Sequence, residues 1–392
     1  MTETTAALRV LEVLGSSAGG VARHVAQVAA GARARGVHVA VAGPQALAQQ
    51  VAPAGSVPFR AVEITDRPGP GDVGAVLRLR TLCRGADVVH AHGLRAGALT
   101  VIGARTLRRR PAVVVTLHNL PVGSRFVVGV AAVLEQVVAR GADAVLGVSG
   151  DLVARARARG AAHAERALVP APPRPAATAP PATVRAELGV APGTHLLVTV
   201  ARLAPQKGLD LLCDAAALLA GPGAGGGLPG PAAAGPSGAQ VLWVLAGDGP
   251  LEPELAARIE AESLPVRLLG RRDDVADLMA AADVVVSTAR WEGQPLGVQE
   301  ALALGAAVVA TDVGGTAEVT GAAAVLVQPR AQDLAHALRD VLERPAERER
   351  LRAAAAVRAG ELPGPDDTLD QLERVWAAAA RRRPDRGGRQ VG

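Results

Sequence analysis

Two carboxylates eight positions apart, Glu292 and Glu300, frame the run EGQPLGVQE. Pro295 suits the first turn of a helix, so a helix is expected over PLGVQEALALG. Glu292 then lies in the loop before it and Glu300 about one and a half turns inside. The backbone N–H groups of Leu296 and Gly297 fall at the helix start. They lack an intrahelical acceptor there and can hold phosphate oxygens. A carboxylate accepts hydrogen bonds from two vicinal hydroxyls. One acid for a ribose, one for a second sugar and a helix start for a diphosphate suit a nucleotide-sugar. The same pattern also describes an acid favoured by the helix macrodipole and an ordinary surface acid.

Composition sharpens the search. Ala, Gly, Arg and Pro abound, aromatics make up 1% of the chain and Tyr is absent. Residue types so disfavoured should persist where something needs them. The chain has one lysine, Lys207, and one asparagine, Asn119. Lys207 stands in TVARLAPQKGLD, five positions after Arg202. A strand ending near Arg202 and a helix opening near Lys207 would put two cations on one loop, suited to a diphosphate. Asn119 stands beside His118 at the end of the apolar run AVVVTLHN, and a functional reading is favoured for the pair. In VVHAHG, His90 and His92 share one face of a strand. That spacing would admit a metal, but no third ligand is evident, so no metal site is expected. After the first apolar run, Gly15, Gly19 and Gly20 in GSSAGGVARHV would let a backbone approach a phosphate at a helix start, or would make a plain tight turn.

The elements that must position these residues alternate. Apolar, β-branched runs are read as strands at 8–14, 37–43, 87–92, 112–119 and 144–149, with amphipathic helices between them. The Pro-rich segment 169–182 reads as a linker. The alternation restarts with strands at 195–203, 240–248, 266–271, 283–288, 306–313 and 323–328. The expected fold class is therefore α/β, with two doubly wound Rossmann-like domains. Domain boundaries are placed at 1–168 and 183–365. A low-complexity loop spans 221–239, and 366–392 forms a last helix with a basic tail. In such sheets ligands bind beyond the carboxyl ends of the strands, which is where the candidate residues fall.

Charge is uneven. Residues 1–170 carry 20 Arg against 10 acids, and residues 171–392 carry 22 Arg plus Lys against 27 acids. The basic half calls for an anionic partner, with a membrane surface as the candidate and no nucleic acid expected, or else is a solvated arginine-rich face. Cys83 and Cys213 match no metal spacing and are read as reduced core thiols. The opening MTETTAALRVLEVLGSS lacks a basic n-region, so no secretory leader is expected. The expected location is the cytoplasm, with docking on the inner face of the membrane as a variant.

The motifs taken together resemble the retaining glycosyltransferases of family 4, which have the GT-B architecture of two Rossmann-like domains facing a cleft. ARLAPQKG is similar to the family's G-R-L-x-x-x-K-G, and EGQPLGVQE to its E-x7-E element. AGDGP, LGRRDDV, VVHAH, TLHN and VSGDL follow the family order. The resemblance implies that Arg202, Lys207, Leu296, Gly297 and the Gly19–Gly20 turn bind the donor diphosphate. It implies Glu300 on the ribose, Glu292 and His118 at the transferred sugar, and His92 and Asn119 on the acceptor side. Gly293-Gln294-Pro295 replaces the usual Gly-Phe-Gly, and Pro295 has no N–H to give. The implied activity moves a sugar from a nucleoside-diphosphate sugar to a hydroxyl acceptor (glycan, lipid or small molecule). No cofactor or metal is expected, since no Asp-x-Asp occurs in the chain. The alternatives are an epimerase or phosphorylase of the same architecture, and a non-catalytic sugar-nucleotide binder.

Overall fold

A computed structural model of the protein describes residues 7–16, 19–65, 67–121, 124–171, 176–221 and 240–382. The predicted loop 221–239 beyond Gly221, residues 172–175 of the predicted linker and the basic tail from 383 onward lie outside the described residues. The chain divides into two units. The first joins Met1–Pro170 to Pro363–Gly392, and the second is Ala171–Leu362.

The first unit holds β1 (Arg9–Leu14), β2 (His38–Gly43), β3 (Phe59–Ala61), β4 (Val88–His92), β5 (Ala112–Leu117), β6 (Ala144–Gly147) and β7 (Ala164–Arg166). They form one sheet in the order β3-β2-β1-β4-β5-β6-β7. Every pairing is parallel. The second unit holds β8 (Thr194–Val200), β9 (Gln240–Ala246), β10 (Val266–Gly270), β11 (Val284–Ser287), β12 (Val308–Thr311) and β13 (Ala324–Val327). Its sheet runs β10-β9-β8-β11-β12-β13, again all parallel. Each is a doubly wound sheet, and each strand order reverses once, beside β1 and beside β8. The carboxyl ends of β1 and β4, and of β8 and β11, are therefore the natural ligand positions.

The continuous apolar runs follow from helices covering both faces. All six residues of β5 and all five of β4 are buried, the two histidines of β4 included. The sequence gives no sign of β3 and β7. Both are three-residue edge strands, FRA and AER, too short to show a period. Several strands also stop short of the apolar run that marks them. β5 ends at Leu117, which leaves His118 and Asn119 in the following loop.

The last described helix, Pro365–Arg381, packs on the helix Gly20–Ala34 and on β5 in the first unit. Gln371 holds it there by accepting from Leu168 N–H at 2.9 Å and donating to the Arg166 carbonyl at 2.6 Å. Trp376 on this helix is fully buried. Among the described residues no helix is long and apolar enough to cross a membrane. Trp376→Ala should lower stability by about 3–5 kcal/mol through the cavity it leaves, read from urea denaturation. A loss below about 1 kcal/mol would show that the tryptophan does not anchor the helix.

Candidate functional site

In the second unit, loops leaving β8, β11 and β12 lock together at the carboxyl edge. The 3-10 turn Pro205–Lys207 ends in Gly208. Thr288 Oγ1 donates to the Lys207 carbonyl at 2.9 Å. Gln206 Nε2 donates to the Trp291 carbonyl at 3.0 Å, and Arg290 N–H to the Gln206 carbonyl at 2.9 Å. From the β12 loop, Gly315 N–H reaches the Glu292 carbonyl at 2.9 Å. Two glycines permit this approach. Gly208 and Gly314 have φ of 60° and 54°, and a Cβ on either would overlap the carbonyl oxygen of Thr288 or Glu292 respectively. Only a residue without Cβ meets both demands.

On this frame the Lys207 ammonium pairs with the Glu292 carboxylate, both side chains being largely buried. Arg202 is exposed and has no side-chain partner among the described residues. The helix Leu296–Ala303 begins after Pro295. The N–H groups of Leu296 and Gly297 find no acceptor among the described residues, as a first turn requires. A Cβ on Gly297 would sit 3.6 Å from the Val200 carbonyl oxygen, so the helix start lies against the end of β8, two residues before Arg202. Glu300 is buried in the second turn. The unit thus gathers a free cation, a paired cation and acid, and open helix N–H groups.

The first unit holds a different arrangement. Glu12, in the middle of β1, is fully buried. Its register places it opposite His90 of β4. One carboxylate oxygen lies 3.3 Å from His90 Nδ1, and Oε2 lies 2.6 Å from His92 Nε2. His90 Nε2 meets Thr116 Oγ1 of β5 at 2.8 Å. His92 Nδ1 meets His118 Nε2 at 3.1 Å. His24, on the helix that starts at Gly20, turns its ring edge-on to His92 and His118, with centroids 5.7 and 5.8 Å away. Trp376 packs edge-on over His90 with a centroid distance of 5.9 Å.

Burial dominates the titration of this cluster. It pushes the His24 pKa down to about 3, with the neighbouring His92 and His90 adding to the shift. It also lowers His118 well below the usual imidazole range and lowers His92, the latter against the pull of Glu12. For Glu12, burial acts upward. The attraction of His90 and the hydrogen bonds from His90 and His92 outweigh it and hold the acid at about 2. Glu12, His90 and His92 offer ligand atoms within 4.8 Å of one another. Those atoms are already engaged with each other and with Thr116 at hydrogen-bond distances, so a cation would have to displace these bonds.

Arg202, Lys207, Glu292, Leu296, Gly297 and Glu300 thus lie on adjoining loops and one helix of the second unit. His92, His118 and Asn119 lie at the carboxyl edge of the first, where Gly19, with φ of 86°, caps the helix that Gly20 opens. His92 is buried with both ring nitrogens engaged, and Asn119 is exposed. Sequence reasoning missed Glu12, His24 and Trp376. The available signal was an acid inside an otherwise apolar strand, RVLEVL.

Comparison with known proteins fits this division. Residues 182–358 match the family model described as glycosyl transferases group 1, and residues 19–172 match a glycosyl transferase 4-like domain. The chain belongs to the group 1, family 4 glycosyltransferases. A GDP-mannose-dependent alpha-(1-6)-phosphatidylinositol dimannoside mannosyltransferase of Mycobacterium tuberculosis is 32% identical over 42% of this chain and 39% of its own. A D-inositol 3-phosphate glycosyltransferase of Thermomonospora curvata is 34% identical over 50% of this chain and 45% of its own. The chain therefore spans less than half the length of these relatives. The Anabaena protein HepE, solved with UDP and with UDP-glucose, superposes with a TM-score of 0.73 at 23% identity, over 95% of this chain and 100% of that one. WaaG, a glycosyltransferase involved in lipopolysaccharide biosynthesis, superposes at 0.66 and 17% identity, over 94% and 99%. These likenesses establish the GT-B fold for this family member.

The buried histidines set an acid limit on stability. A group whose folded pKa is depressed contributes fully above its unfolded value and loses that contribution as pH falls toward the folded one. For His24 the window runs from 6.5 down to about 3, at up to about 1.4 kcal/mol per pH unit for one proton. Denaturation midpoints should fall steadily below pH 6.5, and more shallowly in His24→Gln. Superimposable pH curves for the two proteins would show that His24 is not held neutral by burial.

Proposed function

We propose that the protein transfers a hexose from a nucleoside-diphosphate sugar to a hydroxyl acceptor, with retained anomeric configuration and without a metal ion. The contact between Lys207 and Glu292 carries this reading. The anomeric carbon of such a donor is one oxygen away from phosphorus, so a cation for the diphosphate and an acid for the sugar must be neighbours. Arg202, Lys207 and the N–H groups of Leu296 and Gly297 stabilise the charge that grows on the departing diphosphate. Glu300 takes the ribose hydroxyls and Glu292 the sugar hydroxyls. The acceptor oxygen bonds to the anomeric carbon on the face the diphosphate leaves. The bond from carbon to phosphate oxygen breaks, and the acceptor proton passes to that oxygen. The proposed compartment is the cytoplasm.

A surface of the first unit supports an acceptor held at an anionic bilayer. Exposed Val73 and Leu77 on the helix Gly71–Cys83, Ile102 on Leu94–Arg105, and Phe126 and Val133 on Arg125–Gly141 lie on three helices packed side by side. Phe126 is 78% exposed, in a chain with two phenylalanines. These helices carry Arg78, Arg80, Arg95, Arg105, Arg125 and Arg140 against Asp72 and Glu135, and both acids are paired with arginine. Apolar side chains among a surplus of cations suit an anionic lipid surface. The lipid in the name of the mycobacterial relative points the same way.

One nucleoside-diphosphate sugar should raise the melting temperature of the wild type and leave Lys207→Ala and Glu300→Ala unmoved. Arg202→Ala should lower kcat by about 10²-fold. A wild type that no such donor stabilises would overturn the reading, and turnover abolished by a chelator would overturn its metal-free part. For the bilayer, co-sedimentation with phosphatidylglycerol vesicles should exceed that with phosphatidylcholine and should weaken in Phe126→Ser. Equal binding to both lipids would remove the membrane assignment.

A further inference from the structure

We propose that Glu12 and His92 are positioning residues that fix the protonation pattern of His118, so that His118 meets a substrate hydroxyl as an acceptor at Nδ1. This deepens the transferase reading and rests on it for the nature of the substrate. Hydrogen-bond sense is set from the buried end outward. An ionised carboxylate can only accept. The 2.6 Å contact between Glu12 Oε2 and His92 Nε2 therefore puts the proton on His92 Nε2. Neutral imidazole then has a lone pair on Nδ1. The partner of that lone pair, His118 Nε2 at 3.1 Å, must carry a proton. That leaves the lone pair of His118 on Nδ1, which has no hydrogen-bond partner among the described residues. His118 is only partly buried, and its ring stands at the carboxyl edge of the sheet, just past β5.

The fold makes this chain of bonds continuous. β1, β4 and β5 are adjacent, and the parallel register sets Glu12 opposite His90, Leu14 opposite His92 and His92 opposite Thr116. His24 from the helix Gly20–Ala34 and His92 from β4 pack against His118, and behind His92 lie His90 of the same strand and Glu12 of β1. His24 and His92 are held neutral by burial, so the negative charge of Glu12 reaches His118 through His92. A carboxylate acting through one imidazole on another orients the outer ring and strengthens it as an acceptor. A purely structural network would leave the same lone pair on His118 Nδ1, but breaking it would not change the pH profile of turnover.

Histidine-ring ¹⁵N NMR on the wild type tests the pattern without a substrate. His118 should carry its proton on Nε2 and none on Nδ1 near pH 7. A protonated Nδ1 overturns the proposal whatever the protein's activity. Glu12→Gln can accept from only one of the two histidines, so it should shift the His118 tautomer and lower kcat by about 10²-fold. Its pH profile should change, while donor-induced stabilisation persists. Thr116→Val, which removes only the hydroxyl bonded to His90, should keep the wild-type pH profile. Unchanged ring shifts and an unchanged pH profile in Glu12→Gln also overturn the proposal. Should Glu12→Gln fail to fold, the wild-type ring spectrum decides. A wild type that binds no donor would remove the transferase reading, and the tautomer result would still stand on its own.

Discussion

A carboxylate with no access to water sits at the centre of the first sheet. Burying an unpaired charge there would cost several kcal/mol, so its neighbours are not free to vary. Two imidazoles answer Glu12 from the adjacent strand, and the two-residue repeat of a β-strand lets both face it. Thr116 completes the inner one from the next strand, and His118 extends the outer one to the sheet edge. Trp376 closes the far side from a helix nearly the whole chain away in sequence. The polar groups and the sheet register thus enforce one another. A slip of one residue between β1 and β4 would turn the histidines away and leave the acid uncompensated.

The second unit solves a different problem with the opposite material. Its cations and open N–H groups stay near the surface, on loops, as the proposed diphosphate ligand would need. What makes those loops rigid is close backbone contact at glycines, with Gly208 against Thr288 and Gly314 against Glu292. Lys207 and Glu292 neutralise each other. On the proposed reading, a diphosphate that draws the lysine would free the acid for hydroxyls, so one ligand would engage both groups. Leu296 and Gly297 add open helix N–H groups without a charged side chain.

Much of this was legible in the sequence because parallel strands covered on both faces leave continuous apolar runs. The interior strands of both units announced themselves so. The edge strands β3 and β7 did not, since three residues cannot display a pattern. Composition bias pointed to Lys207 and Asn119, and the lysine lies where the pattern put it. The bias was silent on Glu12, because acids are common in this chain and only its position inside RVLEVL is odd. His90 and His92 were noticed, but their partner could not be, as strand pairing over 78 positions is set by tertiary packing. The glycines of the second unit show their purpose only once the opposing carbonyls are in place.

The return of the final helix to the first unit has a consequence for biosynthesis. The first unit is discontinuous, interrupted by Ala171–Leu362. While the chain emerges from the ribosome, β1, β4 and β5 can pair early, but the groove over His90 stays open until Trp376 has been made. The buried acid and its histidines must wait in a partly wetted core for roughly two hundred further residues, a period in which such intermediates are prone to aggregation. Completion of the first unit is thereby timed by synthesis of the second, and a truncated chain would hold every strand of the first sheet without the cover its charged centre needs.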